Sequence, residues 1–240
     1  MEYQEGYLMP ASHTALLNVQ PIEADTSLKG RIYDRLKRAI TSINIYAENA
    51  ELRLDERELS VRLATSRTPI REALARLEQE GLVHIVPRKG VYIVRKSKAE
   101  ILDMITVWAA LEGMAARLAA RNASDAEIAG LRQLFTTFKN GQVEARIDEY
   151  SDTNVRFHQA ILALGKSPLL RHMADHLFVH MRSIRVRTIG ESNRANRSII
   201  DHLHIIEALE ARDADLAERL VREHTFKLAD HVRDNVHYLD

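Results

Sequence analysis

Ser66-Arg67-Thr68-Pro69-Ile70-Arg71-Glu72-Ala73-Leu74 is the stretch on which the fold turns. Proline lacks an N–H and is tolerated only in the first turn of a helix, so Pro69 places a helix start near Ser66–Thr68. Ile70, Leu74 and Leu77 then recur at helical spacing as an inward face, and Gly81 closes the run. Arg67, Thr68 and Arg71 crowd the N-terminal end. Such arginines are either solvated surface charges or, if this is the second helix of a helix-turn-helix, the end presented to base edges in a major groove. The planar fork of arginine matches the O6 and N7 acceptors of guanine, and Ser66 and Thr68 suit a phosphate oxygen.

Working outward, Leu54-Asp55-Glu56-Arg57-Glu58-Leu59 reads as a second helix start. Asp55 can cap, Glu58 at the third helical position can close a capping box, and Leu54 and Leu59 are spaced as a hydrophobic staple. Arg57 stands on this helix, which runs to about Ala64. Further upstream, Leu28, Ile32, Leu36 and Ile40 form a helical stripe with Lys and Arg between them. Downstream lie two β-branched runs, Leu82–Val86 and Val91–Val94. They are joined by Pro87-Arg88-Lys89-Gly90, a turn with two positive charges at its tip. Helix, helix, short turn, helix, then a basic-tipped hairpin is the order of a winged helix-turn-helix, in which Arg88 and Lys89 would follow the DNA backbone or the minor groove.

Charge is distributed to match. The 240 residues are formally neutral, but residues 27–97 hold fifteen Lys/Arg against nine Asp/Glu, whereas residues 1–26 hold four acids and no base. A basic block beside a neutral one is the electrostatic footprint of a nucleic-acid-binding domain fused to something else. Residues 1–26 show no sustained period and read as a flexible leader. The chain has no cysteine, which excludes disulfides and thiol catalysis. Apolar runs fall short of the ~18 residues that span a bilayer, and no basic residue precedes Lys29, so no secretory signal is read. A cytoplasmic protein is expected, with no membrane partner.

From Lys98 onward every segment reads helical, at about 98–121, 125–139, 143–164, 168–189, 196–211 and 213–237. The expected fold is therefore mostly α: a winged helix-turn-helix over 27–97 and an all-α six-helix bundle over 98–240. Most of the eleven histidines lie beyond residue 150. Asn154 and His158 are four apart and share a helix face, and His202 and His224 sit on the last two helices. Imidazoles from three helices can converge to hold a divalent ion. By spacing alone, buried or surface histidines without metal are an open alternative. His172, His176 and His180 recur along another stripe, beside a core face of Leu170, Met173, Leu177 and Met181. There His172 and His176 read as exposed and His180 as reaching the cavity.

Glu56-Arg57-Glu58-Leu59, Ser66 through Leu74, Leu77-Glu78-Gln79-Glu80-Gly81-Leu82-Val83 and Arg88-Lys89-Gly90-Val91 together resemble the GntR family of regulators. The resemblance implies Arg57, Arg67 and Arg71 as base readers, supported by Thr68 and the wing tip at Gly90. The family usually has Pro-Gly before the second helix, where this chain has Ala50-Glu51. Asn154 through His158, Asp201-His202 with Ile205-Ile206-Glu207-Ala208-Leu209 and Asp213, and Glu223-His224 resemble the FCD effector domain of the FadR-like branch. Six helices fit its smaller, VanR-like form. In metal-binding members those positions are Asp or Asn and three histidines, which implies Asn154, His158, His202 and His224 as ligands of a divalent metal. Imidazole content favours zinc or nickel, and Asn154, where Asp is common, removes one negative charge. The domain also implies a small-molecule effector, often a carboxylate, with Arg185, Arg187 and His180 near it. Trp108 stands where the family often has Arg; it either belongs to the core or lines the pocket.

The resemblance thus implies a homodimeric repressor on a palindromic double-stranded operator, controlled by effector binding. Two other readings are a metalloregulator with the ion as signal and a metal-dependent enzyme. The second lacks any motif such as HExxH with a placed general base, so no enzyme is expected.

Overall fold

The computed structural model describes residues 28–47, 50–138 and 143–239. The leader at 1–26 and the expected break at Asn140-Gly141 lie outside the described residues. The first elements are α1 (Leu28–Ser42), β1 (Arg53–Leu54), α2 (Glu56–Arg62), α3 (Arg67–Gln79), β2 (Val83–Val86) and β3 (Gly90–Ile93). The bundle follows as α4 (Lys98–Asn122), α5 (Asp125–Gln133), α6 (Ile147–Leu164), α7 (Pro168–Thr188), α8 (Arg194–Glu210) and α9 (Ala214–Asn235).

Helix α3 forms as its sequence dictates. Ile70, Ala73, Leu74 and Leu77 of α3 are buried against Ile32, Tyr33, Leu36 and Ile40 of α1. Leu28, expected in that stripe, is exposed. Four-residue steps advance by ~400°, so three of them carry Leu28 well off the buried face. Asp55 caps α2 by accepting from the Arg57 and Glu58 N–H groups at 2.8 and 3.0 Å. The Glu58 carboxylate pairs with Arg62 at 2.5 Å instead of closing the expected box.

The wing is an antiparallel hairpin, β2 with β3, pairing Val83 with Ile93 and Val86 with Gly90. Gly90 has φ +129°, a region that L side chains rarely adopt, and a Cβ there would lie 3.3 Å from Arg53 Nε. A third strand absent from the sequence reading, β1, adds to the far side of β3, pairing Arg53 with Tyr92. It occupies the stretch just after Ala50-Glu51, so the departure there still leads into a paired strand.

In the bundle α4 is central, packing on α6, α7 and α9. The C-terminal half of its buried face is small (Gly113, Ala115, Ala116, Ala119, Ala120), which lets neighbouring backbones approach closely. At Gly165 a Cβ would meet the Ala115 Cα at 3.1 Å. Ser97 and Ser124 begin α4 and α5 with complete capping boxes to Glu100 and Glu127. The helix expected over 125–139 ends at Gln133 and continues as turns, where the Thr136 hydroxyl donates to the Gln133 carbonyl at 3.0 Å. Met173, expected on the core face of α7, is exposed, while Ala174 takes the buried position.

The two halves meet at a polar seam. The Tyr46 hydroxyl and His180 Nδ1 are 3.0 Å apart, and Arg182 donates to the Thr41 carbonyl at 2.9 Å. His180 therefore faces Tyr46, not the histidines of α6, α8 and α9. Burial, with the positive charge of Lys96 nearby, lowers its pKa to about 4, against a small opposing effect of Glu100. A depressed pKa makes the neutral ring's stability contribution complete above about 6.5 and progressively lost as pH falls toward 4. The loss approaches about 3 kcal/mol at ~1.4 kcal/mol per pH unit. Urea midpoints at pH 7 and 4.5 are expected to diverge less in His180→Gln than in the wild type. Equal divergence would show that His180 does not contribute to the acid sensitivity.

Candidate functional site

Two sites emerge, one in each half. On the first half Ser66, Arg67, Thr68 and Arg71 are exposed around the start of α3, Arg57 is exposed on α2, and Arg88 and Lys89 are exposed at the wing tip beside Gly90. Ser66 takes the cap position of α3 without a side-chain capping bond, so its hydroxyl is not committed to the helix. Arg67 Nη2 and Arg71 Nε both donate to one oxygen of Glu56, at 3.0 and 2.8 Å. The arginines thus form one group steadied by a carboxylate, on a face free of buried apolar side chains.

The second site is buried in the bundle. His158 on α6, His202 on α8 and His224 on α9 each offer a ring nitrogen, all within 4.8 Å of one another, and His202 Nε2 and His224 Nε2 are 3.2 Å apart. All three rings are buried. Asn154, one turn before His158, is buried too, and its Oδ1 has no hydrogen-bond partner. An orphaned buried oxygen costs about 1–3 kcal/mol unless something meets it, and this one is carried by the same helix as His158, four residues before it.

The far sides of the rings are equally informative. His158 Nδ1 contacts the Glu112 carboxylate, His224 Nδ1 contacts Asp201 Oδ2 at 3.1 Å, and His202 Nδ1 lies 3.4 Å from the Tyr150 hydroxyl. Rings that bind metal are habitually held in this way, with the remaining N–H given to a carboxylate or another oxygen. Burial is the main force lowering the pKa of all three, and the positive charge of Arg185 adds to it; at His224 Asp201 opposes the shift. Phe135 and Phe157 enclose His202, with ring centroids at 5.2 and 4.3 Å. Neutral imidazole is the form that donates a lone pair to a metal. The residues present therefore fit a divalent cation.

Sequence alone did not single out Glu112. Its side chain is fully buried, accepting from the Trp108 indole N–H at 2.7 Å and the Thr225 hydroxyl at 3.3 Å, with Arg185 Nη2 at 3.5 Å. Burial pushes its carboxyl up, while Arg185 and these donors oppose that shift. Trp108 is thus both core and part of the site: 1% exposed, bonded to Glu112, with the Arg185 guanidinium 5.9 Å from its ring centre. Arg185 is buried against His158 Nε2, and its own Nε has no partner. Arg187 is exposed and lies over Tyr238. His172 and His176 are exposed as expected. A cavity of about 580 Å³ opens between α8 and α9, with Arg194, Arg197, Asp201, His224 and Lys227 on its wall; of the three histidines it reaches His224.

Comparison with known proteins agrees with this architecture. The profile of the bacterial regulatory proteins of the gntR family matches residues 28–93, and that of the FCD domain matches residues 103–226. The chain is 27% identical over 180 residues to the HTH-type transcriptional repressor RspR of Escherichia coli K12, covering 75% of this chain and 79% of the relative. It is 32% identical over 185 residues to the Nta operon transcriptional regulator of Aminobacter aminovorans, covering 75% and 84%. The solved structure of E. coli McbR/YncC shares the fold, with a TM-score of 0.70 at 24% identity over 86% of this chain and 97% of that one. The family and these relatives are transcriptional regulators, not enzymes, and among the described residues no helix is long and apolar enough to cross a membrane. With both halves matched in chain order, this protein belongs to the GntR family of bacterial regulatory proteins, carrying an FCD domain behind its helix-turn-helix.

Proposed function

We propose that the chain is a homodimeric, cytoplasmic repressor that reads a palindromic operator through residues 27–97. Residues 98–240 dimerise and bind a small carboxylate effector beside a divalent metal, zinc or nickel. Arg57, Arg67 and Arg71 read bases, Ser66 and Thr68 take phosphate oxygens, and Arg88, Lys89 and Gly90 track the backbone with the wing. Asn154, His158, His202 and His224 hold the ion. The observation that carries this reading is the pairing of three back-bonded neutral imidazoles with the orphaned Asn154 Oδ1.

The metal would supply positive charge for an acid group. Arg185 is the protein's own receiver for that group: it is buried, it borders His158, and its Nε is unpartnered. Trp108 supplies an apolar wall behind it. This set favours an organic anion as the signal over the ion alone, because an ion would leave the Arg185 Nε unmet. His180, facing Tyr46, is assigned to the seam and not to the effector.

The deciding experiment is selection of bound duplexes from a random pool by the purified protein at fixed salt, since salt sets the nonspecific background. Enrichment of a palindrome is expected; a folded protein that enriches nothing contradicts the reading. For the second site, His202→Ala is expected to retain about tenfold less zinc or nickel than the wild type after equilibration and desalting, measured by elemental analysis, as loss of one of four ligands implies. Equal occupancy in the two proteins would remove His202 from the ligand set.

A further inference from the structure

Glu56 opens α2, and its side chain is only one-quarter exposed. The Arg67 Nη2 and Arg71 Nε donors converge on its Oε2 at 3.0 and 2.8 Å, across eleven and fifteen residues of sequence. Arg67 is the first residue of α3 and Arg71 follows one turn later, so the carboxylate ties both to the preceding helix across the turn of the motif. Burial of the carboxyl acts upward, but hydrogen bonds from the two arginines outweigh it and hold Glu56 below the usual range, fully ionised at neutral pH.

We propose that Glu56 is a positioning residue that sets the spread of Arg67 and Arg71 and thereby the base preference of the protein. The inference rests on the DNA-reading function proposed above. With Arg71 Nε engaged by Glu56, its two Nη groups remain for the paired O6 and N7 acceptors of one guanine. Arg67 gives up Nη2 and retains Nε and Nη1 for a second base or a phosphate. Two long side chains held before DNA arrives lose less rotamer freedom on binding, and preorganisation of this kind favours the matched site. The carboxylate also offsets part of the arginine charge, which weakens attraction to any phosphate backbone and so widens the gap between matched and unmatched sequences.

The test uses the full chain and two probes: the duplex enriched from a random pool by the wild type, and a scrambled duplex of equal length. Glu56→Ala is expected to lower the ratio of enriched-duplex to scrambled-duplex affinity by about tenfold, the size of one guanine contact. Its affinity for the scrambled duplex should be unchanged or higher, and a repeat selection should broaden at the guanine positions. Glu56→Gln keeps an acceptor oxygen and is expected to restore part of the base preference, which a general loss of folding would not do. An Ala variant with the wild-type ratio and the wild-type enriched sequence would overturn the proposal alone. A wild type that enriches no sequence would overturn the DNA-reading function and this inference with it.

Discussion

Glu112→Gln is expected to destabilise the bundle by about 3–5 kcal/mol, the cost of leaving one partner of a buried ion pair uncompensated. The substitution preserves shape. The amide oxygen can still accept from the Trp108 indole, while the amide NH2 replaces the carboxylate oxygen that faces His158 Nδ1, so packing survives although that one contact changes. The negative charge does not. Arg185, buried beside it, would then carry its charge with no ion-pair partner among the described residues, the Glu112 carboxylate lying 3.5 Å away at present. Burial already lowers the Arg185 pKa, and Glu112 is the group that opposes this shift. The measurement is a urea midpoint on chelator-treated protein at pH 7, compared with the wild type. An unchanged midpoint would mean that Arg185 is compensated elsewhere and that Glu112 is not the anchor of the site.

Arg67→Ala should remove specific DNA binding while leaving the fold intact. Arg67 is exposed at the first position of α3 and contributes nothing to the apolar core, so the thermal midpoint should stay within the usual scatter of a surface change. A bidentate arginine–guanine contact is worth about 1–3 kcal/mol, which corresponds to roughly 5- to 150-fold in affinity for the enriched duplex. Affinity for a scrambled duplex should fall far less, because one lost positive charge reduces counterion release only slightly. Equal affinity of variant and wild type for the enriched duplex would take Arg67 out of the reading set.

The parts of the fold legible in the sequence are those where one physical rule acts alone. Pro69 can sit only in a first helical turn, and α3 begins where it requires. Gly90 and the β-branched runs beside it placed the wing, and helical periodicity broken at turn residues beyond Lys98 placed six helices. β1 was invisible because two residues carry no alternation; the strand exists only through its bonds to β3. In the buried site helix geometry made only the Asn154–His158 pair readable, four residues apart on one face; that His202 and His224 join it from two other helices was implied by the resemblance to the FCD domain. The supporting groups were not. Glu112 lies among small residues of α4, where an acid ordinarily points to solvent, and only the arrival of Arg185 from α7 makes its burial tolerable. His180 belonged to the right helix and the buried face, but its partner, Tyr46, is 134 residues away.

Helix α7 has a consequence for how the halves could communicate. Within six positions it bears His180 and Arg182, which grip Tyr46 and Thr41, and Arg185, which is lodged against His158 and Glu112. At 1.5 Å per residue those footholds are about 7.5 Å apart along one axis. A packed helix hardly stretches over such a span, so it behaves as a lever with a fixed arm. A shift of Arg185 along or about that axis would pass to the seam through the helix itself, without relying on segment 94–97 that joins the halves.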